Sequence, residues 1–359
     1  MPKRLKRAAD NPAVAARFSQ PTLAGLLRLP EPPPPRVSLP SASTNGDVDN
    51  TQSEQLLVVD LFCGIGGWSE GSRQAGHRVV LAVDYEESLL RIHAKNHKHC
   101  KHLRIELGPN NEDYLVAQIR NCVPEGRKWH LHASPPCTAI SRLRSCSHSR
   151  DVYEGMRLVL WYLSLVLRLK PTTWSMEEVG TPVLDGVLTA MQHLHPDVFD
   201  FVSDVPFDLY GVPQTRKRTL AGTPALIHRL ETDVSLKEDA PVLSDVLDPP
   251  EGATLVKSAA GRCVNPDLTV TNEDGSVTNS THAKCMKSVH EVCYTCTASN
   301  THYWVADDFS TIRSFNVREQ AALQCFPPTY QFGPICVSVL GIGNAVPCLI
   351  ARKFMEGCV

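Results

Sequence analysis

The turn Gly64-Ile65-Gly66-Gly67 follows directly on the apolar, valine-rich run Leu56 to Leu61 and leads into an amphipathic stretch ending at Ala75. A strand that stops in a glycine turn and restarts as a helix is the opening unit of an α/β sheet, and it constrains what the rest of the chain can become. The same rhythm continues downstream. Strands are predicted over Arg78 to Val83, Trp129 to Ala133, Thr173 to Glu177, Phe199 to Asp204 and Arg218 to Gly222. Helices are predicted over Glu86 to Asn96, Asn111 to Asn121, Asp151 to Leu169 and Val183 to His195. Repeated strand-helix units predict an α/β fold with a doubly wound, mostly parallel sheet, whose ligands sit at the carboxyl ends of the strands.

Two segments break the rhythm. Residues 1–54 hold nine of the 27 prolines and almost no aromatics, too little apolar surface to offset chain entropy, and are expected to form a disordered, basic, proline-rich tail. Up to Arg36 this tail carries seven basic residues against two acidic ones, a local charge of about +5. Lys3-Arg4-Leu5-Lys6-Arg7 reads as a nuclear import signal, a phosphate-binding arm or simply a solvated charged terminus. Gln20, Leu23, Leu26 and Leu27 have the spacing of a sliding-clamp-binding peptide, with Leu-Leu in place of paired aromatics. The second break, residues 223–310, is rich in Thr, Ser, Asn and Asp, with short β-prone pieces such as Thr269-Val270-Thr271. It reads as a small, mostly β insertion between residues 55–222 and 311–359, which form one domain. Gly341-Ile342-Gly343-Asn344 reads as a second glycine turn before the final helix.

Charge and cysteine usage limit the class. Lys plus Arg (36) nearly cancel Asp plus Glu (38), so any affinity for a polyanion must come from local patches, such as Arg142 to Arg150 and Arg216 to Arg218. Thirteen cysteines in a chain of this length, with no secretory signal expected at the basic N-terminus, read as reduced thiols. The longest nearly apolar run, Leu158 to Leu167, is too short to span a bilayer and is expected as a buried helix. A soluble monomer, located in the nucleus if the tail is an import signal, is the expectation.

Four constellations carry chemistry. Asp60 to Gly67 offers a backbone turn and a helix N-terminus to a ligand, a pattern shared by dinucleotide and S-adenosylmethionine sites, and Asp84 is placed to accept hydrogen bonds from ribose hydroxyls or to cap the next helix. Ala133-Ser134-Pro135-Pro136-Cys137 ends a strand with two prolines that hold Cys137 rigidly at the tip, where Arg142 and Arg144 would favour its thiolate. Trp174-Ser175-Met176 delivers Glu177-Glu178-Val179 to the same rim. Gln214-Thr215-Arg216-Lys217-Arg218 points Gln214, Arg216 and Arg218 together, as a carbonyl-binding fork or a solvated basic turn. In the insertion, His282, Cys285, His290, Cys293, Cys296 and His302 are close enough in sequence to ligate zinc, but a single CxxC reads better as unliganded thiols, and no metal site is assigned.

In this order these elements resemble the C5-cytosine DNA methyltransferase family. Asp60 to Gly67 looks like its motif I, Ser134 to Cys137 like its Pro-Cys loop, Glu177 to Val179 like its Glu-Asn-Val strand end, and Gln214 to Arg218 like its Gln-x-Arg-x-Arg segment. Arg313-Ser314-Phe315, Arg318-Glu319 and Gln324-Cys325-Phe326-Pro327 match motif IX, and Gly343-Asn344-Ala345-Val346-Pro347 matches motif X. The resemblance implies S-adenosylmethionine as cofactor, double-stranded DNA as partner and the insertion as the target recognition domain. It implies Cys137 as nucleophile, Glu177 at N3 and the amine of the flipped cytosine, Arg218 at O2 and Arg216 as a brace. It places Phe62, Gly64, Gly66, Asp84, Tyr85, Glu106, Pro136, Asn344 and Val346 along the cofactor pocket. The chain departs from the pattern at Thr138, where the family has Gln, at Glu178, where it has Asn, and at Glu106, where it has Asp. A tRNA cytosine methyltransferase and a catalytically weak DNA- or chromatin-binding protein are the alternatives.

Overall fold

The computed structural model describes residues 55–136, 149–257, 269–271, 277–279, 286–299, 301–306 and 311–358. The basic tail with Gln20 to Leu27 lies outside the described residues, as do Cys137, Thr138, Arg142, Arg144, His282 and Cys285.

Seven strands form one sheet: β1 (Leu57–Leu61), β2 (Arg78–Asp84), β3 (Lys101–Arg104), β4 (Trp129–Ala133), β5 (Thr173–Glu178), β6 (Asp200–Pro206) and β8 (Lys217–Gly222), with the two-residue β7 (Gln214–Thr215) between β6 and β8 in the chain. Their order is β3-β2-β1-β4-β5-β8-β6. The pairs from β3 to β5 are parallel, and only β8 runs against its neighbours. The order reverses at β1, so β1 and β4 diverge into a crevice at their carboxyl ends, the place where such sheets bind ligands.

All five residues of β1 are buried, because helices cover both faces. Leu57, Val59 and Leu61 pack into one core with α3 (Glu112–Cys122), α4 (Ser149–Leu169) and α5 (Pro182–Leu194). Val58 packs into the other, which contains Trp68 of α1 (Gly67–Gln74), Leu90 of α2 (Glu87–Asn96), Ile227 of α6 (Pro224–Thr232) and Phe354 of α10 (Cys348–Met355). Strand alternation therefore sorts β1 into two apolar layers. At about 25 cal/mol per Å² of apolar surface buried, these layers dominate the stabilisation.

Three sequence expectations change. β3 is an additional short edge strand. Pro224–Thr232, within the stretch expected to be mostly β, is a helix whose Leu226, Ile227 and Leu230 share a buried cluster with Val205, Phe207 and Leu220 of the main sheet. Nine residues opening on a proline are too few to register as a helical period. Gly341 to Asn344 is not a turn but the last turn of α9 (Ile335–Asn344). Its glycines serve close approach: a Cβ on Gly343 would meet the Thr297 carbonyl at 2.1 Å.

The insertion contains the four-residue α7 (Leu243–Val246), a hairpin of β10 (Thr269–Thr271) with β11 (Val277–Asn279), and the strands β12 (Met286–Lys287), β9 (Thr254–Lys257) and β14 (His302–Val305), which form a four-stranded antiparallel sheet with β15 (Thr311–Ser314), just past the expected end of the insertion. β13 (Cys293–Tyr294) pairs with β7 and ties the insertion to the main domain. From β15 the chain enters α8 (Val317–Leu323), capped by Asn316 through the N–H groups of Arg318 and Glu319. Among the described residues, no single helix is long and apolar enough to cross a membrane.

Candidate active site

Around the β1/β4 crevice the strand ends enclose a cavity of about 310 Å³. Phe62, Gly64, Asp84, Tyr85, Pro136, Asn344 and Val346 line it together with Glu177, Arg216 and Arg218. Residues assigned in sequence to two ligands thus share one space.

The glycine turn brings backbone to the cavity. Phe62 and Gly64 adopt left-handed φ of 55° and 52°. Gly67, the first residue of α1, lies so near the loop after α9 that a Cβ would meet the Val346 carbonyl at 2.2 Å. Asp84 is buried, which raises its pKa, while the Gly64 and Glu86 N–H groups, each donating over 2.9 Å, favour its charged form. The cap of α2 is Glu86, whose carboxylate accepts from the Ser88 N–H, and not Asp84. Gly66 and Glu106 do not line the cavity. Gly66 stands one step behind, against the His93 and Tyr330 side chains, and Glu106 is exposed two residues past the end of β3.

On the opposite wall the charges are side chains. Glu177 is 5% exposed, with its Oε1 3.1 Å from Arg218 Nε and 3.8 Å from Arg216 Nη2. Arg216 is buried and donates through Nη1 to the carbonyls of Cys296 and Gly343, both at 3.2 Å. It joins the main sheet, the insertion and the end of α9. Gln214 does similar work away from the cavity, donating to the Leu323 carbonyl at 2.6 Å and accepting from the Cys296 N–H at 2.8 Å. The fork expected from its spacing therefore divides: Gln214 fastens the scaffold, and the two arginines face Glu177.

Glu178 is also buried and also lines the cavity, but it pairs with Thr219 across β8 while Glu177 pairs with Leu220, so the two side chains leave β5 on opposite faces. Burial, then the adjacent Glu177 charge, raise the Glu178 pKa well above the carboxylate range. Its Oε1 has no hydrogen-bond partner among the described residues, as an acid held neutral can tolerate more cheaply than a charged one. The motif IX residues Arg313 and Glu319 pair with each other at 2.7 Å, and Trp304 Nε1 donates to Glu319 at 2.9 Å, locking the insertion's sheet to α8. Cys293 and Cys296 are buried thiols, and among the described residues no group of three or more His, Cys, Asp or Glu side chains is arranged to hold a metal ion.

Sequence reasoning named Asp60 only as the start of the glycine turn, and it missed the polar groups beneath the cavity. Asp60 is buried and accepts from the Ser69 hydroxyl at 2.6 Å, and burial pushes its pKa up to about 7. His130 and His132 are fully buried on β4 and hydrogen-bonded to Ser175 of β5. Their alternation with Trp129 and Leu131 is the signal that could have found them, since it puts both imidazoles on one face of a buried strand.

A family model for the C-5 cytosine-specific DNA methylase matches residues 56–359. The Type II methyltransferase M.HgiDI of Herpetosiphon aurantiacus is 28% identical over 310 residues, covering 82% of this chain and 92% of its own. The Type II methyltransferase M.HindV of Haemophilus influenzae is 24% identical over 315 residues, covering 85% and 96%. Among solved structures, a mutant of Spodoptera frugiperda DNMT2 superposes with a TM-score of 0.59 at 14% identity, covering 85% of this chain and 99% of its own, a likeness of fold. The two sequence relatives are bacterial and lend no support to a nuclear location.

Proposed function

The chain belongs to the C-5 cytosine-specific DNA methylase family and is a DNA cytosine-5-methyltransferase, and we propose that it acts on a cytosine flipped out of duplex DNA, through a covalent bond from Cys137 to C6, with S-adenosylmethionine as methyl donor. The observation that carries this reading is the shared cavity: Glu177, held beside Arg216 and Arg218, faces the same space as the glycine turn and Pro136, the residue before Cys137.

The cavity fits the donor. Phe62 offers an aromatic wall, Asp84 a carboxylate fixed by two backbone N–H groups, and Gly64 a face where an added Cβ would meet nothing within 4 Å. With Tyr85, Pro136, Asn344 and Val346 these residues would hold the cofactor, which supplies an electrophilic methyl group when bound. The chain does the rest. Addition of the Cys137 thiolate to C6 makes C5 nucleophilic, and Glu177 relieves the charge that develops at N3 and the exocyclic amine. Arg218 engages O2, and Arg216 fixes both by its anchorage to the Cys296 and Gly343 carbonyls. Methylation at C5 is followed by loss of the C5 proton and release of Cys137. The antiparallel sheet of the insertion serves target recognition, and Arg142 to Arg150 supply phosphate contacts.

The test is methyl transfer from labelled S-adenosylmethionine to duplex DNA and to tRNA, with a Cys137→Ser control. Labelling of DNA alone, lost by at least about 10³-fold in Cys137→Ser, is expected. DNA labelling that survives the substitution would overturn the covalent mechanism, and bisulfite sequencing of the product reads the target sequence.

A further inference from the structure

Beneath the cavity, four hydrogen bonds join five side chains in a single file along β4 and β5. His130 Nδ1 lies 2.9 Å from Thr173 Oγ1, and His130 Nε2 lies 2.8 Å from Ser175 Oγ. Ser175 Oγ is in turn 2.8 Å from His132 Nδ1, and His132 Nε2 is 2.8 Å from Ser134 Oγ. Because β4 and β5 are parallel, Thr173 opens β5 at the amino edge of the sheet while Ser134 follows β4 at its carboxyl edge. The file therefore crosses the sheet, a span of roughly 15 Å for a five-residue strand.

Its ends differ from its middle. Ser134 lines the cavity, three residues before Cys137, and Thr173 is half-buried beside the exposed Thr172. His130, His132 and Ser175 are fully buried. The indole of Trp68 stacks on His132 with 3.6 Å between centroids and 3° between planes, which fixes the ring in line with its two serines. Asp60 lies across from His132 in the β1 register, His77 lies near His130, and the buried Cys358, whose Sγ is 3.9 Å from His130 Nδ1, is hydrogen-bonded to Thr173 as well and so flanks the outer end of the file.

A hydroxyl donates once and accepts, and a neutral imidazole has one N–H and one lone pair, so every bond in the file can point the same way, in either direction. Burial keeps both rings neutral, pushing His130 down to about 3 and His132 well below the ordinary imidazole range. A ring with a pKa near 3 is protonated in roughly one molecule in 10⁴ at pH 7, so it passes a proton without storing one.

We propose that the file Ser134–His132–Ser175–His130–Thr173 is the relay that takes the C5 proton of the methylated cytosine adduct out of the site. The proposal rests on the covalent reading given above and assigns its last step. Ser134 Oγ accepts the C5 proton as its own O–H proton moves to His132 Nε2. The His132 Nδ1 proton passes to Ser175, the Ser175 proton to His130 Nε2, the His130 Nδ1 proton to Thr173, and the Thr173 proton to water. The electron pair of the C5–H bond forms the C5–C6 double bond, and the pair of the C6–S bond returns to Cys137 as thiolate. Every member of the file ends neutral with its polarity reversed, and the net change is one proton moved from C5 to water. Ser134 is the member that touches substrate, and the other four act through it.

The test separates elimination from addition. Duplex DNA made with 5-fluorocytosine traps the adduct after methyl transfer because no C5 proton can leave, whereas DNA made with 5-deuterocytosine reports proton loss as an isotope effect on turnover. His132→Gln keeps a donor and an acceptor for both serines but does not relay readily. Ser175→Ala breaks the file deep in the core with little change in volume. Both are expected to trap on 5-fluorocytosine DNA at the wild-type rate, to turn over ordinary DNA about 10²-fold more slowly, and to gain a deuterium isotope effect that the wild type lacks. Turnover within about twofold of wild type in both variants would overturn the relay while leaving the covalent reading intact. Trapping that falls in parallel with turnover would also overturn it, assigning the file to positioning alone. Failure of the wild type itself to trap would remove the covalent reading and the relay together.

Discussion

The two walls of the cavity are built from different materials. The wall on the β1/β2 side is mostly backbone: a glycine turn, a helix start pressed against the Val346 carbonyl, and a carboxylate pinned by two N–H groups. The wall on the β5/β8 side is made of buried charges, with Glu177 next to two arginines and Arg216 bolted to the insertion and to α9. A backbone wall needs little desolvation to assemble, because its polar groups are already committed to the fold. A wall of buried charges is stable only while every partner is present. The first should be sensitive to shape and the second to charge.

The largest effect is therefore expected from Arg216→Ala. It leaves the Glu177 carboxylate with one guanidinium fewer and two buried carbonyls without their donor, a loss of about 3–5 kcal/mol. Urea unfolding of the variant measures it, and a change under about 1 kcal/mol would mean that the charged wall is solvated and the contrast is false. Gly67→Ala tests the other wall. Its Cβ would sit 2.2 Å from the Val346 oxygen, so α1 and the loop after α9 must part, at a cost of about 1–3 kcal/mol. Affinity for S-adenosylmethionine should fall with it, measured by calorimetry, while Arg216→Ala should weaken DNA turnover more than cofactor binding.

The same contrast governs what can be read from residues alone. Backbone devices announce themselves, because glycine adopts the φ of 52° at Gly64 and permits the close approach at Gly67 at no steric cost, and the turn is legible from its glycine spacing. So are the long strands and helices, whose apolar periods are unambiguous. Charged residues announce their identity but not their surroundings. Gln214, Arg216 and Arg218 share a face by alternation, yet only the fold shows Gln214 spent on the Leu323 carbonyl and the Cys296 N–H. Motif order places Glu106 in the pocket, but its exposure past β3 is a matter of where an edge strand ends. Pro224–Thr232 is too short to show a period, and Gly341 and Gly343 read as a turn because close packing and tight turning select the same residue.

Glu178 sharpens the contrast further, because it sits in the charged wall without contributing a charge. Its folded pKa is raised by burial and by Glu177, well above the value of about 4.3 expected in the unfolded chain. Between those two values the folded state binds a proton that the unfolded state has released, so wild-type stability falls as pH rises through that window. A Gln in this place carries the same donor and acceptor and no titration. Glu178→Gln should therefore match the wild type near pH 4 and become progressively more stable above it, by at most about 1.4 kcal/mol for each pH unit, for example between pH 6 and pH 7. Thermal unfolding of the two proteins across pH 4–8 measures this. A constant difference would mean that Glu178 is ionised in the fold and that both acids of the strand end are charged. The opposite trend, a variant that loses ground as pH rises, would show that Glu178 is an ion-pair partner of the arginines like its neighbour, and the two faces of β5 would then be electrostatically alike.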